Sequence, residues 1–235
     1  MNRCANRRYR PVDHTSTTVH ISILTEFAAV TTAIAIAGII HIAAVAFACL
    51  LTDVGLKQIA LFVGKPLLKF ETRFAPITVG WVPISSFVKL DMESFSSKQL
   101  LTRCTVTVVG PIALLAVSAA CLGPIRAAHF FATTYRQLVD FIISPTPSGK
   151  AFASFLTDHI LVSPISTSAI IAAKLSAINF LPFGHLAGGR LLIQLARKRN
   201  HSVVAKILNP TGVAMTFVVL TCVAISMIFN LIHNY

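Results

Sequence analysis

Acidic residues are scarce in this chain: 8 Asp and Glu stand against 20 Lys and Arg, and charged residues of both signs make up only 12 %. With hydrophobic residues at 55 % and a mean hydropathy of +0.76, that scarcity argues against a soluble domain. Cys-x-x-Cys pairing is missing among Cys4, Cys49, Cys104, Cys121 and Cys222. Four of the five lie in or beside apolar runs, where Cys behaves as a small hydrophobe, so neither a disulfide framework nor a thiolate zinc site is indicated. Also absent are a Walker loop, a dinucleotide-binding fingerprint, a Ser-x-x-Lys motif and any internal repeat. The formal charge of +12 would suggest nucleic acid in a soluble protein. Here the basic residues separate apolar runs, so lipid headgroups and positive-inside orientation account for them and no nucleic-acid partner is expected.

What the chain does have is apolar length. Runs of ~20 residues, enough to cross a bilayer, occur at about 23–51, 101–123, 159–181 and 211–232. They predict an all-α, multi-pass membrane protein of about four helices, preceded by a basic tail at 1–22 carrying Arg3, Arg7, Arg8 and Arg10. That tail reads as a juxtamembrane segment, with an organelle-targeting segment as the alternative. Short alternating stretches with Pro66, Pro76 and Pro83 predict strands within 52–100. An amphipathic helix is expected around 126–142, and a basic helix at the membrane face over 190–206. Segments 52–103 and 190–206 hold 12 Lys and Arg against 7 in 1–22 and 124–158, which favours termini on the outer side.

Ionisable residues inside apolar runs are candidates for function, because their burial in lipid is costly. Glu26 lies near the start of the first run and His41 deep within it; Lys174 lies in the third. Lys174 either snorkels to an interface or serves as a cation inside the bundle. The third run ends in Asn179-Phe-Leu-Pro-Phe-Gly-His-Leu-Ala-Gly-Gly189, where Pro182 breaks the helix ahead of a Gly pair. Such a break frees backbone groups that need partners at membrane depth.

This last stretch resembles the Asn-x-x-Pro-x-x-x-Leu-Asp-Gly-Gly signature of the site-2 protease family, intramembrane zinc metalloproteases of the His-Glu-x-x-His type. Asn179, Pro182, Leu186, Gly188 and Gly189 fit it without a gap, and Ala187 stands where the family has its Asp ligand. His41-Ile-Ala-Ala-Val45 resembles His-Glu-x-x-His, with Ile42 for the general base and Val45 for the second His ligand. Gly80-Trp-Val-Pro-Ile-Ser-Ser-Phe-Val-Lys-Leu90 resembles a Gly-x-x-Pro-Leu-Gly-Gly-Tyr-Val-Lys segment, with Ser85 and Ser86 replacing the Gly pair. Val109-Gly-Pro-Ile-Ala-Leu114 resembles Ala-Gly-Pro-x-x-Asn, a close-packing helix feature. The four occur in family order over about 35–200.

The resemblance implies a site-2-protease-like core with a small membrane-associated β element after the first helix, one that holds an extended substrate by edge pairing. It also implies that catalysis is lost, since zinc needs two His, an Asp and an open position for water. No catalytic residues and no cofactor are therefore expected. His41 and His185 are vestigial metal candidates, and Lys174 is a candidate for the cation standing where zinc is lost. The expected function is a pseudoprotease that binds membrane lipids and a transmembrane partner or complex, through Pro83, Ser85, Ser86, Phe87, Asn179 and Pro182. Its expected location is a bacterial inner membrane, or an organelle inner membrane as the alternative. The rival readings are an active zinc protease with a rearranged site, and a small transporter or channel with broken helices.

Overall fold

A computed structural model describes residues 14–144 and 163–198, with Ala214 beyond them. The expected tail, apart from its last residues, and the expected fourth span lie outside the described residues. The first element is α1 (His14–Leu51), 38 residues that become Ala/Ile-rich in their second half. Its portion Ala28–Leu51 is long and apolar enough to cross a membrane. The helix stops on a cap dictated by one backbone conformation: Asp53 takes φ 51. Val54 N–H then donates to Cys49 O at 2.9 Å and Asp53 N–H to Leu50 O at 3.5 Å, the paired bonds of a Schellman ending. Val54 closes over Cys49 in a buried cluster with Ala48 and Val106.

Directly after this cap come β1 (Leu56–Glu71) and β2 (Pro76–Leu90), an antiparallel pair. Both strands fold back on themselves. Ile77, Thr78 and Val79 lie opposite Phe70, Lys69 and Leu68, and also opposite Ile59, Ala60 and Leu61. The first half of β2 is thus flanked on both sides, while the second half, Ser86–Leu90, lies along Leu61–Leu56. The fold-back in β1 falls at Phe62 and Gly64, with φ 67 and 99. Gly80 is required opposite it, because a Cβ there would sit 2.5 Å from Val63 O.

The ribbon's base is tied by charge. Lys57 Nζ lies 2.9 Å from Asp91 Oδ1, and Asp91 N–H donates to Gly55 O at 2.8 Å. Their mutual hydrogen bond holds the Asp91 carboxyl below its ordinary value and raises Lys57. A depressed carboxylate contributes stability above its unfolded value, about 4, and loses it as pH falls through the folded one. Hydrogen exchange of the Asp91 amide, corrected for intrinsic rate, should therefore show an acid-side loss of protection. Asp91→Asn should abolish that pH step; an unchanged step would assign it elsewhere.

A short helix, α2 (Met92–Ser97), leads to α3 (Leu100–Leu122), the second helix able to span a membrane. Gly123, with φ 84, turns the chain into α4 (Pro124–Ile143), which begins on Pro124 as helices favour. The next element among the described residues is α5 (Pro164–Asn179), capped by Ser163 Oγ, which accepts from Ser166 N–H. Its 16 residues extend ~24 Å, short of a ~30 Å hydrocarbon core. Of the four expected spans, then, two are long enough among the described residues. The last element bounded among the described residues is α6 (Ala187–Lys198).

Small side chains set the packing. Ala37, Leu114 and Ala172 form a buried cluster joining α1, α3 and α5, and Ala33, Ala169, Ala173 and Ala177 are buried as well. Small residues let helix backbones approach where lipid supplies no hydrophobic drive to associate. Polar contacts pin the outer helices. Gln194 Nε2 of α6 donates to Thr107 Oγ1 of α3 at 2.8 Å, and Tyr135 Oη of α4 donates to Ala177 O at 3.1 Å.

Candidate functional site

His41 lies in the middle of the apolar part of α1, and its ring packs flat on α3 at the one residue without a side chain. A Cβ on Gly110 would lie 2.5 Å from His41 Cε1 and 2.7 Å from both ring nitrogens. Pro111 follows at once, and its carbonyl accepts a 2.7 Å hydrogen bond from the buried Ser176 of α5. Three helices thus meet in one layer at His41, Gly110-Pro111 and Ser176.

The ribbon reaches the same layer. A Cβ on Gly38, one turn before His41, would lie 3.2 Å from Ser86 Oγ. That hydroxyl accepts from Phe62 N–H at 3.3 Å, bonding β2 to the fold-back of β1. Gly38 is about 20 Å from the end of α1 at 1.5 Å per residue, so Ser86 lies beside the interior of the stretch that is long enough to cross a membrane. Non-helical backbone is tolerated there only against protein or a wet cavity; α1 supplies the protein on one side.

The residues beside His41 face packing surfaces. Ile42 is 4 % exposed, and Val45 packs on the cluster of Cys49, Val54 and Val106. Ala187 is 7 % exposed at the start of α6. The Gly pair after it is held against the preceding loop: Cβ atoms would meet Phe180 O at 2.2 Å from Gly188 and Phe183 O at 2.0 Å from Gly189. Among the described residues no three His, Cys, Asp or Glu side chains converge. One imidazole with Ile, Val and Ala at the neighbouring motif positions offers a single donor, which does not fit a zinc site.

The other expected site residues are dispersed. Ser86 is in the layer, whereas Phe87 points to an exposed position beside it; Pro83 and Ser85 belong to β2, but their side chains lie outside the described part. Asn179 Nδ2 donates to Leu175 O at 2.8 Å, satisfying the last turn of its own helix, and Pro182 is exposed in the turn that follows. His185 is exposed and stacks on Phe183 with ring centroids 6.4 Å apart. Lys174 Nζ donates to Gln137 Oε1 of α4. Two residues along a helix are ~200° apart, so this contact lies on the far side of α5 from Ser176. That bond ties α5 to α4.

Two contributors escaped the sequence reading, Gly38 and Ser176. Each had a signal: a lone Gly in an Ala/Ile helix marks close approach, and a Ser in an apolar helix needs a partner.

Residues 29–219 match the sequence model of Peptidase family M50. No curated protein matches the chain.

Proposed function

Since the chain belongs to peptidase family M50, whose members are the site-2 proteases, we propose that it is a non-hydrolytic member that binds a membrane-protein partner. The match and the two apolar helices together mark a membrane protein. The observation that carries the proposal is the burial of Ile42 and the packing of Val45 against Cys49 and Val106. Those are the positions at which the family's base and second ligand would stand, and here Ile42 is buried and Val45 packs on a cluster that includes Val106 of α3. A metal-bound water needs several donors and an open coordination position; an aliphatic contact supplies neither. What remains is a scaffold that brings a ribbon to membrane depth beside three helices. Its use is to hold a partner's transmembrane or extended segment, as a subunit of a complex in a multi-pass arrangement within a bacterial inner membrane.

Elemental analysis of the detergent-purified chain tests this, with His41→Ala as control. The expected result is no stoichiometric zinc in either protein, and no change after incubation with zinc and dialysis. About one zinc per chain, absent from His41→Ala, would overturn the proposal and require a second donor set.

A further inference from the structure

Helix α6 meets α3 through its polar side. Gln194 Nε2 donates to Thr107 Oγ1 at 2.8 Å, and Cys104 Sγ donates to Gln194 Oε1 at 3.6 Å. Ile193 and Gln194 are both buried. At 3.6 residues per turn, positions 190, 197 and 198 fall within ~60° of Gln194, and they hold Arg, Arg and Lys. Leu192 and Leu195 fall ~100–160° away from it and are exposed. A helix lying alone on a bilayer turns its apolar face to the acyl chains and its cations to water. In α6 the cationic positions flank the seam with α3, and the leucines are left on the outer side.

The seam contains a donor without an acceptor. Arg103 stands one turn before Thr107, on the α3 face that meets Gln194. Its Nε is buried and has no hydrogen-bond partner among the described residues. Neither Arg103 nor Arg190 joins an ion pair there, since the salt bridges involve Lys57, Lys98 and Arg136. No carboxylate is at hand either: α3, α5 and α6 carry no Asp or Glu. A buried donor left unpaired is costly, so the acceptor has to come from outside the chain. The 23 residues of α3 rise ~35 Å against ~30 Å of hydrocarbon, which leaves Arg103, in the first turn, at headgroup level. A guanidinium presents a fixed fork of donors that matches phosphate oxygens.

We infer that the α3–α6 seam, centred on Arg103, binds the phosphate of an anionic membrane lipid. The cationic positions of α6 complete the site, and the acyl chains lie on Leu192 and Leu195. The site is distinct from the His41 layer and does not depend on the partner-binding role. A free phosphate anion offers the same oxygens, and the experiment separates the two sources.

The test uses the full chain in a non-ionic detergent and a short-chain phosphatidylglycerol with a fluorophore on one acyl chain, read by anisotropy. Phosphatidylcholine with the same chains is the comparison, because its choline balances the phosphate charge. Phosphatidylglycerol is expected to bind about tenfold more tightly, the effect of one or two charge-assisted hydrogen bonds. Arg103→Gln should remove that preference, and so should the Arg190→Gln, Arg197→Gln, Lys198→Gln triple variant. Arg126→Gln, which removes an exposed cation of α4, should leave it intact. Inorganic phosphate should displace the lipid only at far higher concentration. Equal binding of the two lipids would reduce the contact to adsorption on the leucines and overturn the inference. An equal loss in Arg126→Gln would show diffuse charge in place of a site, and displacement by phosphate at the lipid's own concentration would assign a free anion; either result overturns it too. Thermal unfolding without lipid shows whether each variant is folded. If Arg103→Gln is not, the triple variant decides, and a preference it retains sinks the site.

Discussion

Gly189→Ala is expected to cost about 3 kcal/mol or more, the upper end of overpacking effects, and to remove most of the monodisperse protein from a detergent extract. The added carbon would lie 2.0 Å from Phe183 O and 2.2 Å from Phe183 C. Both are backbone atoms, so no side-chain rotation relieves the clash, and the turn from Phe180 to Leu186 would have to move as a unit. That turn is already fixed at its ends: Phe180 N–H donates to Ser176 O at 3.2 Å, and Leu186 N–H donates to Phe183 O at 2.8 Å. Gly188→Ala meets a similar obstacle, Phe180 O at 2.2 Å. Gly123→Ala is the control. It puts a side chain at φ 84 and ψ 152, a conformation that favours glycine, but nothing lies within 4 Å of the new carbon, so only backbone strain of about 1–3 kcal/mol applies. Thermal unfolding of the variants side by side decides the matter; equal losses in Gly189→Ala and Gly123→Ala would show that the turn yields and that the Gly pair is not needed for space.

That Gly pair was legible in the sequence, and so was its neighbour Pro182, because a break in an apolar run is a local property. Apolar length is local too: the run 101–123 coincides with α3 within a residue at each end. The run 159–181 was less well bounded. Ser163 and Pro164 form a cap-and-first-turn signal, but hydropathy averaged over a long window passes across it. The strands were visible as alternation, whereas their register was not. The fold-back needs a positive φ at Phe62, a residue with no preference for one, and only tertiary pairing imposes it. The separation of Lys174 from the Ser176 layer follows from helix phase, yet Gln137 as its partner belongs to another helix and leaves no mark in the local sequence.

The contact at the centre of the site shows the same limit and provides a second large effect. His41 and Gly110 were each conspicuous alone, one for burying an imidazole in an Ala/Ile helix and one for preceding Pro111. Their fit to one another is what a double-mutant cycle measures. Gly110→Ala should lower stability by about 1–3 kcal/mol, because its Cβ would be 2.5 Å from His41 Cε1. His41→Ala should cost a similar amount through the cavity it leaves. The double variant should lose less than the sum, with a coupling of about 1–2 kcal/mol, since the methyl group added by Gly110→Ala enters space the ring has vacated. Additive losses would mean that the ring and the glycine do not occupy one space. The same proteins bear on chemistry. A ligand that binds only the folded state raises the unfolding temperature by mass action, so zinc should stabilise the unaltered chain if His41 belongs to a metal site. A ring pressed on α3, with Ile42 and Val45 turned to packing, predicts no zinc-dependent shift in the unaltered chain and none in Gly110→Ala. A shift lost on His41→Ala would show that α1 and α3 part to admit a metal.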